Sequence, residues 1–136
     1  MADSETDPSK QFVHLHVHTD YSLLDGASAI SWAPRIKDKE ARKKKTDLVR
    51  MCLENHAPAC AMTDHGVMGG GIEFYEEMTA AGIKPIIGCE VYVAPGSRLD
   101  REVSAGQRYY HLILLASDQE GYLNLCKIVS DAQLKA

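Results

Sequence analysis

The sequence has no apolar stretch longer than a strand, which excludes a helix that spans a bilayer. Met1 to Lys10 is polar and acidic and lacks the basic start and apolar centre of a secretory signal, so a cytoplasmic location is expected. No CxxC pair occurs among Cys52, Cys60, Cys89 and Cys126, which excludes a zinc knuckle and a thioredoxin-type motif. Reduced, buried thiols are expected instead. Positive charge is not in excess: 15 Lys and Arg stand against 19 Asp and Glu, a formal net charge of -4. That balance argues against coating nucleic acid by bulk electrostatics and leaves room for a local basic patch. The glycine-rich run from Gly66 to Gly71 matches neither the P-loop nor the dinucleotide fingerprint. With 136 residues, 45% of them hydrophobic and 25% charged, the chain reads as one globular domain with a core.

Histidine is what the chain does have, and in a pattern. Within Phe12-Val13-His14-Leu15-His16-Val17-His18-Thr19 three imidazoles alternate with apolar residues. In an extended strand, His14, His16 and His18 share one face, about 6–7 Å apart, while Val13, Leu15 and Val17 fill the other. Neighbouring imidazoles at that spacing can reach one metal ion through bonds of about 2.0–2.1 Å. A turn carrying Asp20 and Asp25 follows. Strict alternation of three histidines is hard to explain as packing, and half of a metal site is the reading for His16 and His18.

Pro34 marks a break, and Arg35 to Lys45 is dominated by charge, read as an exposed connection or frayed helix that is either a solvated face or a contact for phosphates. Thr46 is a candidate N-cap for an amphipathic helix ending near Asn55. Pro58 to Thr63 suits a strand covered on both faces that delivers Asp64-His65-Gly66 at its C-terminal edge. A helix over about Ile72–Ala81 follows, with Ile72, Tyr75 and Met78 as its expected inner stripe. Ile83 to Val93 reads as a strand interrupted by Glu90, a carboxylate whose burial a divalent cation would offset. A polar excursion leads to a strand over 109–116. Its His111 is awkward in a parallel sheet: either the excursion returns it toward Glu90 or it is structural. A last helix spans about Tyr122–Leu134, with Leu123, Cys126 and Val129 on one side.

Strands alternating with helices, with polar residues at strand ends, predict an α/β architecture of barrel type. In such folds His16, His18, His65 and Glu90 would converge at the C-terminal rim.

His16-Val17-His18-Thr19, Thr63-Asp64-His65-Gly66 and Gly88-Cys89-Glu90 resemble the first three motifs of the PHP (polymerase and histidinol phosphatase) family. The strings Phe12 to Gly26, Gly82 to Ala94 and Tyr110-His111-Leu112 through Asn124-Leu125-Cys126 resemble the branch of that family found in the bacterial DNA polymerase III alpha subunit. Free-standing PHP phosphatases tend to have Asp at the position of His14.

The resemblance implies the first half of a distorted (β/α)7 barrel: a flexible polar stretch over 1–11, then an incomplete PHP domain over 12–136 with a charged insertion near 34–45. It implies up to three divalent ions, zinc, manganese or iron, bound by His16, His18, Asp25, His65, Glu90 and His111. His14 and Asp64 would support these ligands from behind. By the same resemblance the parent protein would be a magnesium-dependent polymerase whose partners are DNA and other replicative subunits, a proofreading exonuclease subunit among them, with no membrane involved. Three functions follow as alternatives: a metal-dependent proofreading nuclease, a non-catalytic brace that binds a proofreading subunit, or a small-molecule phosphatase of the histidinol phosphate type. The chain alone, as a fragment with open sheet edges, is expected to be inactive and prone to self-association.

Overall fold

A computed structural model describes residues 11–31, 47–99 and 109–135. The charged stretch near 34–45, with Thr46, lies outside them, as do residues 1–10.

Helix α1 (Leu48–Glu54) starts at Asp47, whose side chain accepts the Arg50 N–H at 2.8 Å, so the cap is Asp47 where Thr46 was expected. Leu48 and Cys52, one helical turn apart, are its buried positions. The chain then enters β1 (Ala59–Met62), buried along its whole length. Helix α2 (Gly71–Ala80) buries Gly71, Phe74 and Met78. The expected stripe is corrected here: Ile72 and Tyr75 are exposed, and Phe74 and Met78, four residues apart, form the inner face. Each of these two fully buried side chains contributes about 1.5–3 kcal/mol. Gly82, at φ +75°, ends α2: its N–H bonds Thr79 O at 3.0 Å and the Ile83 N–H reaches back to Met78 O at 2.9 Å.

Strand β2 (Lys84–Val93) is shared between two partners. Its first half runs parallel to β1, with Ala59 opposite Lys84 and Met62 opposite Ile87. The second half runs antiparallel to β3 (Tyr110–Leu115), with Gly88 opposite Leu115 and Val93 opposite Tyr110. A side chain at Gly88 would put its Cβ 2.6 Å from Leu114 O, so glycine is what lets β3 lie this close. Helix α3 (Gln119–Lys135) begins three residues before the expected start, because Asp118 accepts the Gly121 N–H at 2.8 Å. Leu125 is its buried residue, whereas Leu123 is exposed and Cys126 only partly covered.

The histidine-bearing stretch lies alongside β1 in the parallel sense, as an extended segment with a single bridge between His14 and Cys60. It is not the regular strand expected. Ala61 N–H bonds His14 O at 2.8 Å and Thr63 N–H bonds Val17 O at 2.9 Å. The Thr63 hydroxyl takes over from the ladder, accepting the Val17 N–H at 2.9 Å. The sheet order is therefore this segment, β1, β2, β3. A core of Ile30, Leu48, Cys52, Cys60, Met62, Phe74, Met78 and Ile83 lies between sheet and helices. The C-terminal ends of the first three sheet members and the start of antiparallel β3 share one edge, which brings His111 back toward Glu90.

Candidate metal centre

Glu90 is the hub of that edge. Its Oε2 meets His16 Nε2 at 2.7 Å and His18 Nε2 at 2.6 Å, while Oε1 meets His111 Nδ1 at 2.7 Å. Burial of this carboxyl pushes its pKa up, but the hydrogen bonds from His16, His18 and His111 outweigh that and hold it at about 2. The two Nε2 atoms of His16 and His18 lie 3.2 Å apart.

Asp25 forms a second focus. Its Oδ2 receives His65 Nδ1 at 2.9 Å and His18 Nδ1 at 3.1 Å, so His18 bridges the two carboxylates. The Ser22 hydroxyl donates to Asp25 Oδ1 at 2.5 Å, and this bond, followed by that from His65, lowers the Asp25 pKa. The turn that carries Asp25 is tight: Gly26 N–H bonds Ser22 O at 2.7 Å, and a Cβ on Gly26 would sit 1.8 Å from Thr19 O. Ser22 also accepts the His65 N–H at 3.1 Å, which ties this turn to the end of β1.

Three triads of possible ligand atoms result, each with its atoms within 4.8 Å of one another: His16, His18 and Glu90; His18, Asp25 and His65; His65, Glu90 and His111. Every two triads share one residue, so the six side chains form a closed ring of donor groups. His65 Nε2 is buried and has no hydrogen-bond partner among the described residues. An orphaned imidazole nitrogen within such a set is what a divalent cation would satisfy, and the donors fit one. Imidazole and carboxylate donors suit zinc, manganese and iron alike.

The structure thus gathers His16, His18, Asp25, His65, Glu90 and His111. His14 stands apart, exposed, with its ring edge-on to Phe12 at 4.7 Å. Asp64 is fully buried and holds the backbone next to His18, accepting the N–H and the hydroxyl of Thr19 at 2.5 and 2.7 Å. Burial raises its pKa, and the Thr19 bonds act against that. The sequence reading passed over Tyr92, whose ring stacks on His65 at 4.3 Å and meets His111 edge-on at 5.0 Å. Its signal was present, since Tyr92 lies two residues after Glu90 and so shares its face of β2. Ser22, three residues before Asp25, was passed over as well.

Comparison with known proteins places the chain in a family. The PHP domain profile matches residues 38–136. The alpha subunit of DNA polymerase III from Treponema pallidum is 48% identical over 125 residues, covering 91% of this chain and 9% of the relative. That from Thermus aquaticus is 46% identical over 129 residues, covering 92% of this chain and 9% of the relative. The chain therefore spans about a tenth of the length of these curated relatives. Among solved structures, an amidohydrolase from Chromobacterium violaceum with bound sulfate and no metal superposes with a TM-score of 0.50 at 21% identity, over 88% of this chain and 34% of that one. This last likeness concerns the fold, and it is consistent with part of a (β/α) barrel. With its motifs on adjoining sheet members and the profile covering most of its length, the chain belongs to the PHP domain family.

Proposed function

We propose that His16, His18, Asp25, His65, Glu90 and His111 form a divalent-metal centre, and that the module built around it hydrolyses phosphoesters. Its substrate would be the 3′ end of DNA, within a bacterial replicative polymerase of the alpha-subunit type. The observation that carries this reading is the closed ring of three donor triads linked through His18, His65 and Glu90. When bound, divalent ions supply an acidified water and positive charge for the phosphate.

The chain's own residues do the rest. Glu90 and Asp25 bring two negative charges, enough to offset one divalent ion; a second would leave the site net positive toward a phosphate. Thr63 and Asp64 hold the histidine segment against β1, which fixes the approach of His16 and His18. The Tyr92 ring covers one face of His65 and keeps water from that side. In the reaction a water oxygen bonds to phosphorus, the bond from phosphorus to the 3′ oxygen of the preceding sugar breaks, and that oxygen takes up a proton. Zinc, manganese or iron would serve here, and magnesium would belong to the polymerase centre elsewhere in the parent. DNA and the other replicative subunits would be its partners, in the cytoplasm. Among the described residues no helix is long and apolar enough to cross a membrane.

In the complete protein, His16→Ala is expected to abolish metal-dependent 3′–5′ cleavage of single-stranded DNA. Unchanged cleavage would overturn the reading. One observation favours a second reading, a structural centre: Glu90 already joins the N-terminal segment and β3 through three imidazoles. Metal removal that lowers thermal stability in a protein without nuclease activity would select it.

A further inference from the structure

We propose that the cleft beside the cluster, walled by Tyr92, Tyr109 and Arg98, is a base subsite that seats the nucleobase of a substrate whose phosphate lies at the cluster. The site would then prefer nucleotides to simple sugar phosphates. The placement of the phosphate rests on the phosphoesterase reading above; the stacking does not.

The cleft has a volume of about 960 Å³ and runs from His65 and Tyr92 to the last turns of α3. That lies in the range of about 300–1,000 Å³ typical of small-molecule sites. Two tyrosine rings face it. Tyr92 is 58% exposed although one face stacks on His65, and Tyr109, 50% exposed, stands edge-on to Tyr92 at 6.1 Å and 68°. Aromatic rings left open next to a polar cluster make a stacking platform, and every nucleobase has a flat face to offer it.

The cleft also carries a fixed cation. Arg98 donates from Nη1 to Lys135 O at 3.4 Å. A guanidinium has five N–H groups, so this bond leaves donors for a phosphate oxygen. The carboxylate in the lining, Asp131, is met by Lys127 at 3.1 Å and Lys135 at 2.7 Å, so it does not stand as an uncompensated charge against an anion. Gln133 donates to Gly66 O at 3.3 Å and ties α3 to the loop beyond β1, which holds the two walls together. The aromatic platform thus abuts the donor cluster through the Tyr92–His65 stack, and the Arg98 cation lines the same cleft.

The test is binding to the zinc-loaded full chain, followed by ligand-observed NMR, of thymidine 5′-monophosphate, 2-deoxyribose 5-phosphate and thymidine. The monophosphate is expected to bind about tenfold more tightly than the sugar phosphate, a factor that stacking of one base supports. Thymidine is expected to show contact through its base protons. Tyr109→Ala, an exposed position whose loss leaves the core intact, should remove both effects and leave the sugar phosphate unchanged. Equal affinities for the two phosphates in the wild type, or full preference retained in Tyr109→Ala, would overturn the base subsite while leaving the phosphoesterase reading in place. Contact with thymidine that needs Tyr109 but no metal would uphold the subsite even if the cluster hydrolysed nothing.

Discussion

The buried carboxylate of Asp64 takes both the peptide N–H and the hydroxyl of Thr19, at 2.5 and 2.7 Å, and neither residue is accessible to water. This pair clamps the turn after His18 onto the end of β1, upstream of every contact that Asp25 makes. Removing the acceptor leaves two buried donors unsatisfied, a loss of about 2–3 kcal/mol. Asp64→Ala should therefore lower the denaturant midpoint markedly. Asp64→Asn, which keeps one oxygen for the N–H and offers an amide to the hydroxyl, should cost less than half as much. Equal losses in the two variants would show that the clamp is packing and not hydrogen bonding.

Gly26 is expected to be irreplaceable, because a Cβ there would fall 1.8 Å from Thr19 O, against backbone that cannot swing aside. Gly26→Ala must shift the Ser22–Asp25 turn, so it should reduce stability and weaken metal retention together. Gly71→Ala is the control, since its Cβ would meet only the end of Met62 at 3.8 Å. Thermal melts and metal content of both variants, measured side by side, check this; a Gly26→Ala protein that melts and binds like the wild type would remove the turn from the account.

Glu90 contacts three of the four clustered imidazoles, so its charge should control metal affinity. In the wild type, zinc at roughly a hundred times its dissociation constant should add about 2.7 kcal/mol of stability, seen as a rise in melting temperature. Glu90→Gln should lose that metal-dependent rise. A variant that keeps it would place the ion elsewhere.

The start of α3 should be acid-sensitive. The Asp118 carboxylate accepts the Gly121 N–H, and that bond, followed by one from Ser117, lowers its pKa. A group depressed in the folded state stabilises above its unfolded value and loses that contribution as the pH falls through the folded one. Acidification to about pH 3 should therefore cost the wild type more than Asp118→Asn, which caps without titrating. Amide exchange in the first turn of α3 at pH 7 and pH 3 reads this out, and identical acid responses would contradict it.

Much of the fold was legible because burial repeats with a period. The apolar run before Asp64 and the Gly82 stop located β1 and the end of α2 closely. The inner face of α2 was not legible: apolar residues at 72, 74, 75 and 78 allow two stripes, and only the packing of Phe74 chooses between them. Strand direction was hidden for a similar reason. Alternation reads the same in both senses, so His111 looked misplaced until antiparallel pairing put it opposite Tyr92. At the centre, His16, His18, His65 and Glu90 followed from residue type and position at strand ends. Asp25 and His111 entered through family resemblance, and their contacts depend on a turn and a strand reversal that no local pattern states. Ser22 and Tyr92 carry no metal-binding signature, and their roles emerge only once Asp25 and His65 are in place.

The central claim is that these six side chains hold metal, and bound-metal stoichiometry tests it most directly. Elemental analysis would be run on the purified chain beside a His16→Ala/His18→Ala double variant, with circular dichroism confirming that both are folded. At least one ion per wild-type chain and none in the variant is the expected result. A folded wild type without metal, or a variant that retains the same amount, would contradict the account.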